Sequence, residues 1–259
     1  MRIAIIAAME REVRPLARSW KVRVIEHGGR RFRIFENGDA VLICGGIGAA
    51  AARRATEAVI QEVRPALVIS AGFAGAVNGS LRAGDILEPR TVINAADGVR
   101  TEVGWGEGIL VTSASVAGKE QKDRLGKAYG ASAVDMEAAA VAQGAEARGV
   151  EFAALKAVSD AADFSMPAMD RFVAADGTFR SARFGCHVVQ RPWLWGTTIT
   201  LARNSSKASR ALCGALVSYL ARARFCPLES LGSGLQAAKD GAECAIAHTR
   251  AGNESHTKA

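Results

Sequence analysis

The sequence predicts an α/β fold: a three-layer arrangement with a mixed, largely parallel central sheet, helices on both faces and a basic helical C-terminal part. Three observations carry this. Short apolar runs rich in β-branched residues alternate with stretches of helical period. Two glycine-rich segments, Gly45-Gly46-Ile47-Gly48 and Ala71-Gly72-Phe73-Ala74-Gly75, directly follow such runs, where α/β sheets place their ligand loops. Of the 259 residues, 49% are hydrophobic and 23% charged, an ordinary globular balance that excludes wholesale disorder.

Arg2 to Ala8 is a short apolar run and reads as a buried strand. Met9 to Ser19 carries charges at helical spacing, with Pro15 tolerable only near the first turn. Val22 to Val24, Arg31 to Phe35 and Ala40 to Cys44 read as short strands, the last two joined through the turn dipeptide Asn37-Gly38. Alanine-rich Ala49 to Val63 reads as a helix stopped by Pro65, and Ala66 to Ser70 as a strand that ends in the loop Ala71 to Gly75. Asp85 to Leu87, Thr91 to Ile93, Gly108 to Thr112, Ser132 to Val134 and Phe152 to Val158 are further strands, with helices over Lys119 to Tyr129 and Met136 to Arg148. Beyond Asp163 the expectation is a short helix in Pro167 to Asp176, segments Arg180 to Gln190 and Trp193 to Ala202, and a helix over Ser206 to Arg224. Residues 1–224 form the main domain, and 225–259, with Pro227 and several glycines, read as an appended, partly disordered tail.

No apolar run reaches the roughly 18 residues of a membrane span. The N-terminal apolar run meets Glu10 too early for a secretory signal. Five cysteines, an odd number without a CxxC pair, argue against a disulfide framework and a structural zinc site. A reduced, cytoplasmic protein is expected. The net charge of +7 has one address: from Gly177 to Leu228 there are eight cations and no acid, and the remaining 25 cations face 26 acids. Such a third suits nucleic acid, acidic lipid or an anionic partner, or simply a solvated basic face. The histidines lack metal-ligand spacing, and no GxSxG elbow or Cys/His pairing suggests a nucleophilic triad. No metal and no cofactor are expected.

Individually the acids are unremarkable in position: Glu12 as a surface helix residue, Asp135 as a helix N-cap, Glu137 as a first-turn acid, Ser159-Asp160 as a turn start. As a set they differ, because Glu12, Glu137 and Asp160 each follow an apolar strand of one α/β pattern. Three such acids are placed to converge on one pocket, where burial tunes carboxyl pKa values. The Gly45–Gly48 turn offers backbone N–H groups at a helix start to an anion or hydroxyl, but it is neither a full GxGxxG nor a Walker A loop.

These residues resemble the nucleoside phosphorylase/nucleosidase superfamily, most of all its methylthioadenosine/S-adenosylhomocysteine nucleosidase branch. The matching pieces are Ile5-Ile6-Ala7-Ala8-Met9-Glu10-Arg11-Glu12, Gly46-Ile47-Gly48, Ala71 to Gly75, Gly84-Asp85, Val134-Asp135-Met136-Glu137-Ala138 and Ala157-Val158-Ser159-Asp160-Ala161-Ala162-Asp163, in the family's order over residues 1 to about 165. The resemblance implies cleavage of a purine nucleoside's N-glycosidic bond. Glu12 would activate water, Met136 and Glu137 would hold the ribose, and Asp160, beside Ser159, would protonate purine N7. Gly48, Phe73, Ala74, Gly75 and Val116 would line the substrate. It also implies a homo-oligomer. The chemistry agrees, since cleavage builds positive charge on the sugar and negative charge on the base. Asp160 would need an apolar surround, or a neighbour such as Asp163 sharing its charge, to keep a proton near neutral pH.

The phosphorolytic members resemble this chain too, but the positions of their phosphate-binding arginines read Ala7-Ala8-Met9 and Val68-Ile69-Ser70-Ala71 here; Arg30, Arg31 and Arg53 match no motif. Water is therefore favoured over phosphate. The chain departs from the methylthioadenosine enzymes in a shorter stretch before Asp135, in Phe73, and in Val116 and Ala117 at the base-stacking positions. Ser165 to Arg224, with Met166-Pro167-Ala168, Asp176-Gly177 and Arg191-Pro192-Trp193, looks like the hopanoid-associated branch, which resembles adenosylhopane nucleosidases. A large apolar 5′ group fits that reading. Trp193, Leu194 and Trp195 with Arg191 and Arg203 suit peripheral contact with a membrane surface. The alternative from another class is a non-catalytic nucleoside- or nucleic-acid-binding module.

Overall fold

The computed structural model describes residues 1–225 except 105, 165–168 and 175. The chain divides into two units, Met1–Ser218 and Tyr219–Ala259. The site and its surroundings lie in the first; of the second, only the helical residues 219–225 are described, so the expected tail lies outside the described residues from 226 on.

Strands β1 (Ile3–Ala7), β4 (Ala40–Cys44) and β5 (Leu67–Ala76) form the parallel heart of the sheet, with β1 between the other two. β2 (Lys21–His27) and β3 (Arg30–Asn37) extend it antiparallel beyond β4. β1 and β4 are apolar along their whole length and almost entirely buried, as strands covered on both faces are. The strand order runs β2-β3-β4-β1-β5-β10-β9-β7-β8, where β7 is Thr91–Asn94, β8 Arg100–Glu102, β9 Ile109–Thr112 and β10 Ala133–Asp135. β11 (Glu151–Asp160) pairs in parallel with β5 over nearly its full length and antiparallel with β6 (Ile86–Leu87). β5 is thus the pivot. β11 takes one edge, so β1 and β10 divide the other: β1 against residues 67–70, β10 against Gly75 and Ala76.

The helices are α1 (Glu10–Ala17), α2 (Ala49–Val63), α3 (Lys119–Tyr129), α4 (Ala138–Glu146), α5 (Ser181–Val189) and α6 (Trp195–Phe225). α2 and α4 pack against each other and on the central strands. Their alanine-rich faces allow a close approach: a Cβ on Gly144 would stand 2.9 Å from Thr56 Cγ2. α1 carries Pro15 in its second turn, later than the sequence rule allows for an undisturbed helix. Proline supplies no N–H to the carbonyl of Arg11, and the Ser209 hydroxyl of α6 donates to that oxygen at 3.3 Å and to the Glu12 carbonyl at 2.9 Å. A side chain from the far end of the sequence thus meets the acceptor that Pro15 leaves unmatched.

Several expectations need correction. Ala71 to Gly75 is no loop: β5 runs through it to Ala76. Its glycines suggest a turn, but in a strand they mark places where other groups need the space of a Cβ. α4 begins at Ala138, because Asp135 and Glu137 precede the first helical turn. Trp195 to Ala202 and Ser206 to Arg224 join in one helix, α6, since nothing between them breaks a helix, while Trp193 and Leu194 lie in a 3₁₀ turn, Pro192–Leu194. β8 carries only Arg-Thr-Glu and had no apolar signal. The short helix expected in Pro167 to Asp176 is a single 3₁₀ turn, Met169–Phe172, with Pro167, Ala168 and Ala175 outside the described residues.

Gly144→Val should overpack the α2–α4 contact and cost about 1–3 kcal/mol. A lower urea midpoint with unchanged m-value is expected; an unchanged midpoint would show that the two helices can move apart freely.

Candidate active site

The site is organised around a lysine in a strand. Lys156 sits mid-β11 in the apolar run Phe152 to Val158, opposite Gly72 of β5, with its side chain 1% exposed. Its ammonium lies 2.9 Å from Asp135 Oδ2 and donates to Ser70 Oγ at 3.0 Å. Asp135, fully buried at the end of β10, also accepts from Thr112 Oγ1 at 2.7 Å and from the Ala138 N–H at 2.9 Å. Asp135 is not the N-cap the sequence suggested, since Glu137 holds that position, but it takes the first N–H of α4 while neutralising a buried cation. Burial presses the Lys156 pKa down, but Asp135, Glu137 and Glu12 together outweigh it and hold the ammonium form above its usual range.

Glu12 and Glu137 complete the cluster. Glu12 is the third residue of α1, and its carboxylate accepts from the Met9 N–H at 3.4 Å, the backward reach of a capping box. A Cβ on Gly72 would stand 3.1 Å from Glu12 Oε2, so the glycine gives this carboxylate its room. Glu137 precedes α4 and takes the Gly48 N–H on Oε1 at 2.8 Å. Gly48 has φ +92°, a conformation glycine adopts without strain, which aims that N–H at the carboxylate. Burial, and then the charge of Glu137, raise the Glu12 pKa from 4.5 to about 7. Burial, and then Asp135, raise Glu137 likewise to about 7, against the pull of Lys156 and the N–H donors.

Asp160 ends β11. Its Oδ1 accepts from Ser159 Oγ at 2.7 Å, and its Oδ2 is ion-paired with Lys122 of α3. The Lys122 ammonium also donates to the Ala161 carbonyl at 2.7 Å. A Cβ on Gly75 would meet Asp160 Oδ2 at 2.8 Å and Lys122 Cε at 3.0 Å, so the second β5 glycine accommodates this pair. The apolar or acid-sharing surround expected for Asp160 is corrected: its neighbour is a cation, and Asp163 is exposed.

These groups border one cavity of about 970 Å³. Glu12, Phe73, Ala74, Gly75, Val116, Met136, Glu137, Ser159 and Asp160 all line it. Gly48 is not part of the wall; the anion its N–H serves is Glu137. Arg30, Arg31 and Arg53 are likewise not on the wall. Sequence reasoning missed Lys122, the arginines Arg11, Arg14, Arg18 and Arg210, and an apolar flank that includes Phe164, Met169, Phe179, Phe184 and Leu201. The spacing of Arg11, Arg14 and Arg18 along α1 was a readable signal of a shared helical face. Lys122 had none, standing among other cations in a charged helix.

The profile of the family described as "Phosphorylase superfamily" matches residues 2–114 and 106–189. The chain belongs to the phosphorylase superfamily. Within it, the chain is 30% identical over 203 residues to a 5′-methylthioadenosine/S-adenosylhomocysteine nucleosidase of Actinobacillus succinogenes, spanning 63% of this chain and 87% of that protein. The fold is similar to that of the 5′-methylthioadenosine nucleosidase of Arabidopsis thaliana, with TM-score 0.68, 19% identity and coverage of 88% and 97%. It is also similar to that of the futalosine hydrolase of Helicobacter pylori, with TM-score 0.62, 20% identity and coverage of 84% and 96%. The mixed α/β sheet expected from the sequence is the fold of these solved structures, and the relative named as a nucleosidase supports the N-glycosidase reading.

The raised Glu12 pKa has a sign that stability measurements can check. A carboxyl at 4.5 in the unfolded chain and about 7 in the folded one costs nothing below the first value. Its penalty grows as pH rises between the two and is complete above about 7. Glu12→Gln, neutral throughout, should therefore gain stability relative to the parent as pH rises from 4.5 to 8, by on the order of 3 kcal/mol. Urea denaturation of both proteins at pH 5 and pH 8 reads this; a pH-independent difference would refute it.

Proposed function

We propose that the protein hydrolyses the ribose–adenine bond of a 5′-modified adenine nucleoside of the methylthioadenosine, S-adenosylhomocysteine or adenosylhopane type. The observation that carries the reading is the meeting of Glu12, Glu137 and Asp160 at one cavity, from three distant parts of the chain. In this reading Glu12 takes a proton from the attacking water. A carboxyl with a pKa of about 7 is matched to that task at neutral pH. Glu137, held on one oxygen by Gly48, accepts from the ribose hydroxyls and, with Met136, seats the sugar beneath the developing oxocarbenium charge. Asp160, braced by Ser159 and ion-paired with Lys122, passes a proton to purine N7. Phe73 and Val116 on the wall face the nucleoside.

Water suits this site better than phosphate. Glu12 and Glu137 are buried acids whose charges already oppose each other, and a phosphate anion beside them would meet the same repulsion. The phosphate-using alternative draws on Arg11, Arg14, Arg18 and Arg210 along the cavity. The volume, at the upper end for small-molecule sites, and the apolar flank from Phe164 to Leu201 support a large 5′ substituent.

A homo-oligomer in the cytoplasm belongs to the same proposal, carried by the family resemblance and the odd cysteine count. So does peripheral membrane contact. Trp193 is 74% exposed, Val189 71%, Ile199 53% and Trp195 50%, in a segment with cations and no acid. Among the described residues no helix is long and apolar enough to cross a membrane. A non-catalytic nucleic-acid-binding module would instead bind RNA in a salt-sensitive way and release no base.

Incubation with methylthioadenosine, adenosine and inosine, with and without phosphate, should give free base and a free sugar rather than a sugar 1-phosphate. Glu137→Gln and Asp160→Asn should each lower turnover at least about a hundredfold; near-normal rates in both would overturn the assignment. In liposome flotation the protein should rise with anionic vesicles and not with neutral ones, and failure to rise with either would remove the membrane contact.

A further inference from the structure

Lys122 has no role in the mechanism as drawn from the carboxylates, yet its position is not that of a surface lysine. The other lysines of α3, Lys119 and Lys127, are exposed, Lys127 with a 77% exposed side chain, while the Lys122 side chain is 1% exposed. A lysine usually keeps its ammonium in water by extending its stem. This one instead threads past Gly75, where a Cβ would stand 3.0 Å from Cε. Its ammonium reaches the Ala161 carbonyl and Asp160 Oδ2 at the wall of the cavity. Asp160 retains 18% exposure, and both Lys122 and Asp160 line the cavity. A buried ion pair is a poor stabiliser in its own right and replaceable by apolar residues, which leaves its placement unexplained by folding.

We propose that Lys122 is a positioning residue for glycosidic cleavage: its buried ammonium holds the Asp160 carboxylate against the purine and supplies the proton that Asp160 passes to the departing base. The inference rests on the nucleosidase reading above. As the C1′–N9 bond breaks, its electron pair passes to the ring, and the proton that N7 takes comes from the Lys122 ammonium by way of the Asp160 carboxylate, which relays it and holds none before or after the step. The purine leaving as an anion is a strong base, and an ammonium is a better-matched reserve for it than a lone carboxylate. The proton that Glu12 takes from water balances the one given up, and solvent returns it to the lysine amine. One water is consumed and no net proton is gained or lost.

The test compares two substrates with the same sugar: a 5′-methylthio nucleoside of adenine and its 8-azaadenine counterpart. The 8-aza ring leaves more readily without a proton yet fits the same purine site. Lys122→Met should lower kcat on the adenine substrate at least about a hundredfold, with KM within about threefold, and lower kcat on the 8-aza substrate less than about tenfold. Lys122→Arg keeps the ion pair, and with it the fold, should the methionine variant not be stable. Because a guanidinium does not surrender its proton, it should remain slow on adenine alone. Equal losses on both substrates would make Lys122 a structural anchor. No loss in Lys122→Met, or full recovery in Lys122→Arg, would overturn the proton reserve. A parent enzyme that releases neither base would sink the nucleosidase reading itself and this inference with it.

Discussion

The pairing of Lys156 with Asp135 is the constraint on which the site depends. A lysine in the middle of a buried strand cannot reach water, so its charge must be met from neighbouring elements. That requirement ties β11 to β10 through the carboxylate of Asp135, to β5 through Ser70, and to α4 through the N–H that donates to the same carboxylate. With the register so defined, Glu137 and Glu12 share the same low-dielectric pocket. Their elevated pKa values follow from burial set against a single central cation.

The β5 glycines show how backbone economy makes this crowding possible. Gly72 faces the Glu12–Lys156 side and Gly75 the Asp160–Lys122 side. Each stands where a methyl group would displace a charged side chain. Two acid–lysine centres therefore flank one strand, one next to the expected sugar end of the cavity and one next to the expected base end. The remaining wall is different in kind: aromatic and aliphatic side chains, with arginines contributed by α1 and α6.

α6 links the two regions of sequence that look least alike. Its residues Ser205, Ser206 and Ser209 reach the cavity, and Ser209 bonds the α1 carbonyls, including the one that Pro15 leaves without a helical donor. The basic third is thus not only an appended surface; part of it completes the first helix and borders the pocket.

Much was legible in the sequence. The apolar runs of β1, β4 and β11 and the alanine-rich α2 announced a covered sheet, because burial on both faces demands uninterrupted apolar character. Motif order singled out Glu12, Glu137 and Asp160; Lys156 within an apolar run was a signal that the sequence reading passed over. What tertiary structure decided was contact over long separation. Local propensity made Ala71–Gly75 a loop, whereas the side chains of Glu12, Lys156, Lys122 and Asp160 require glycines inside a strand. Lys122 looked like any helix lysine until packing buried it against Asp160. Local pattern states which residues seek the interior; which charges meet there depends on how strands far apart in the chain come to lie side by side, and only the folded arrangement supplies that.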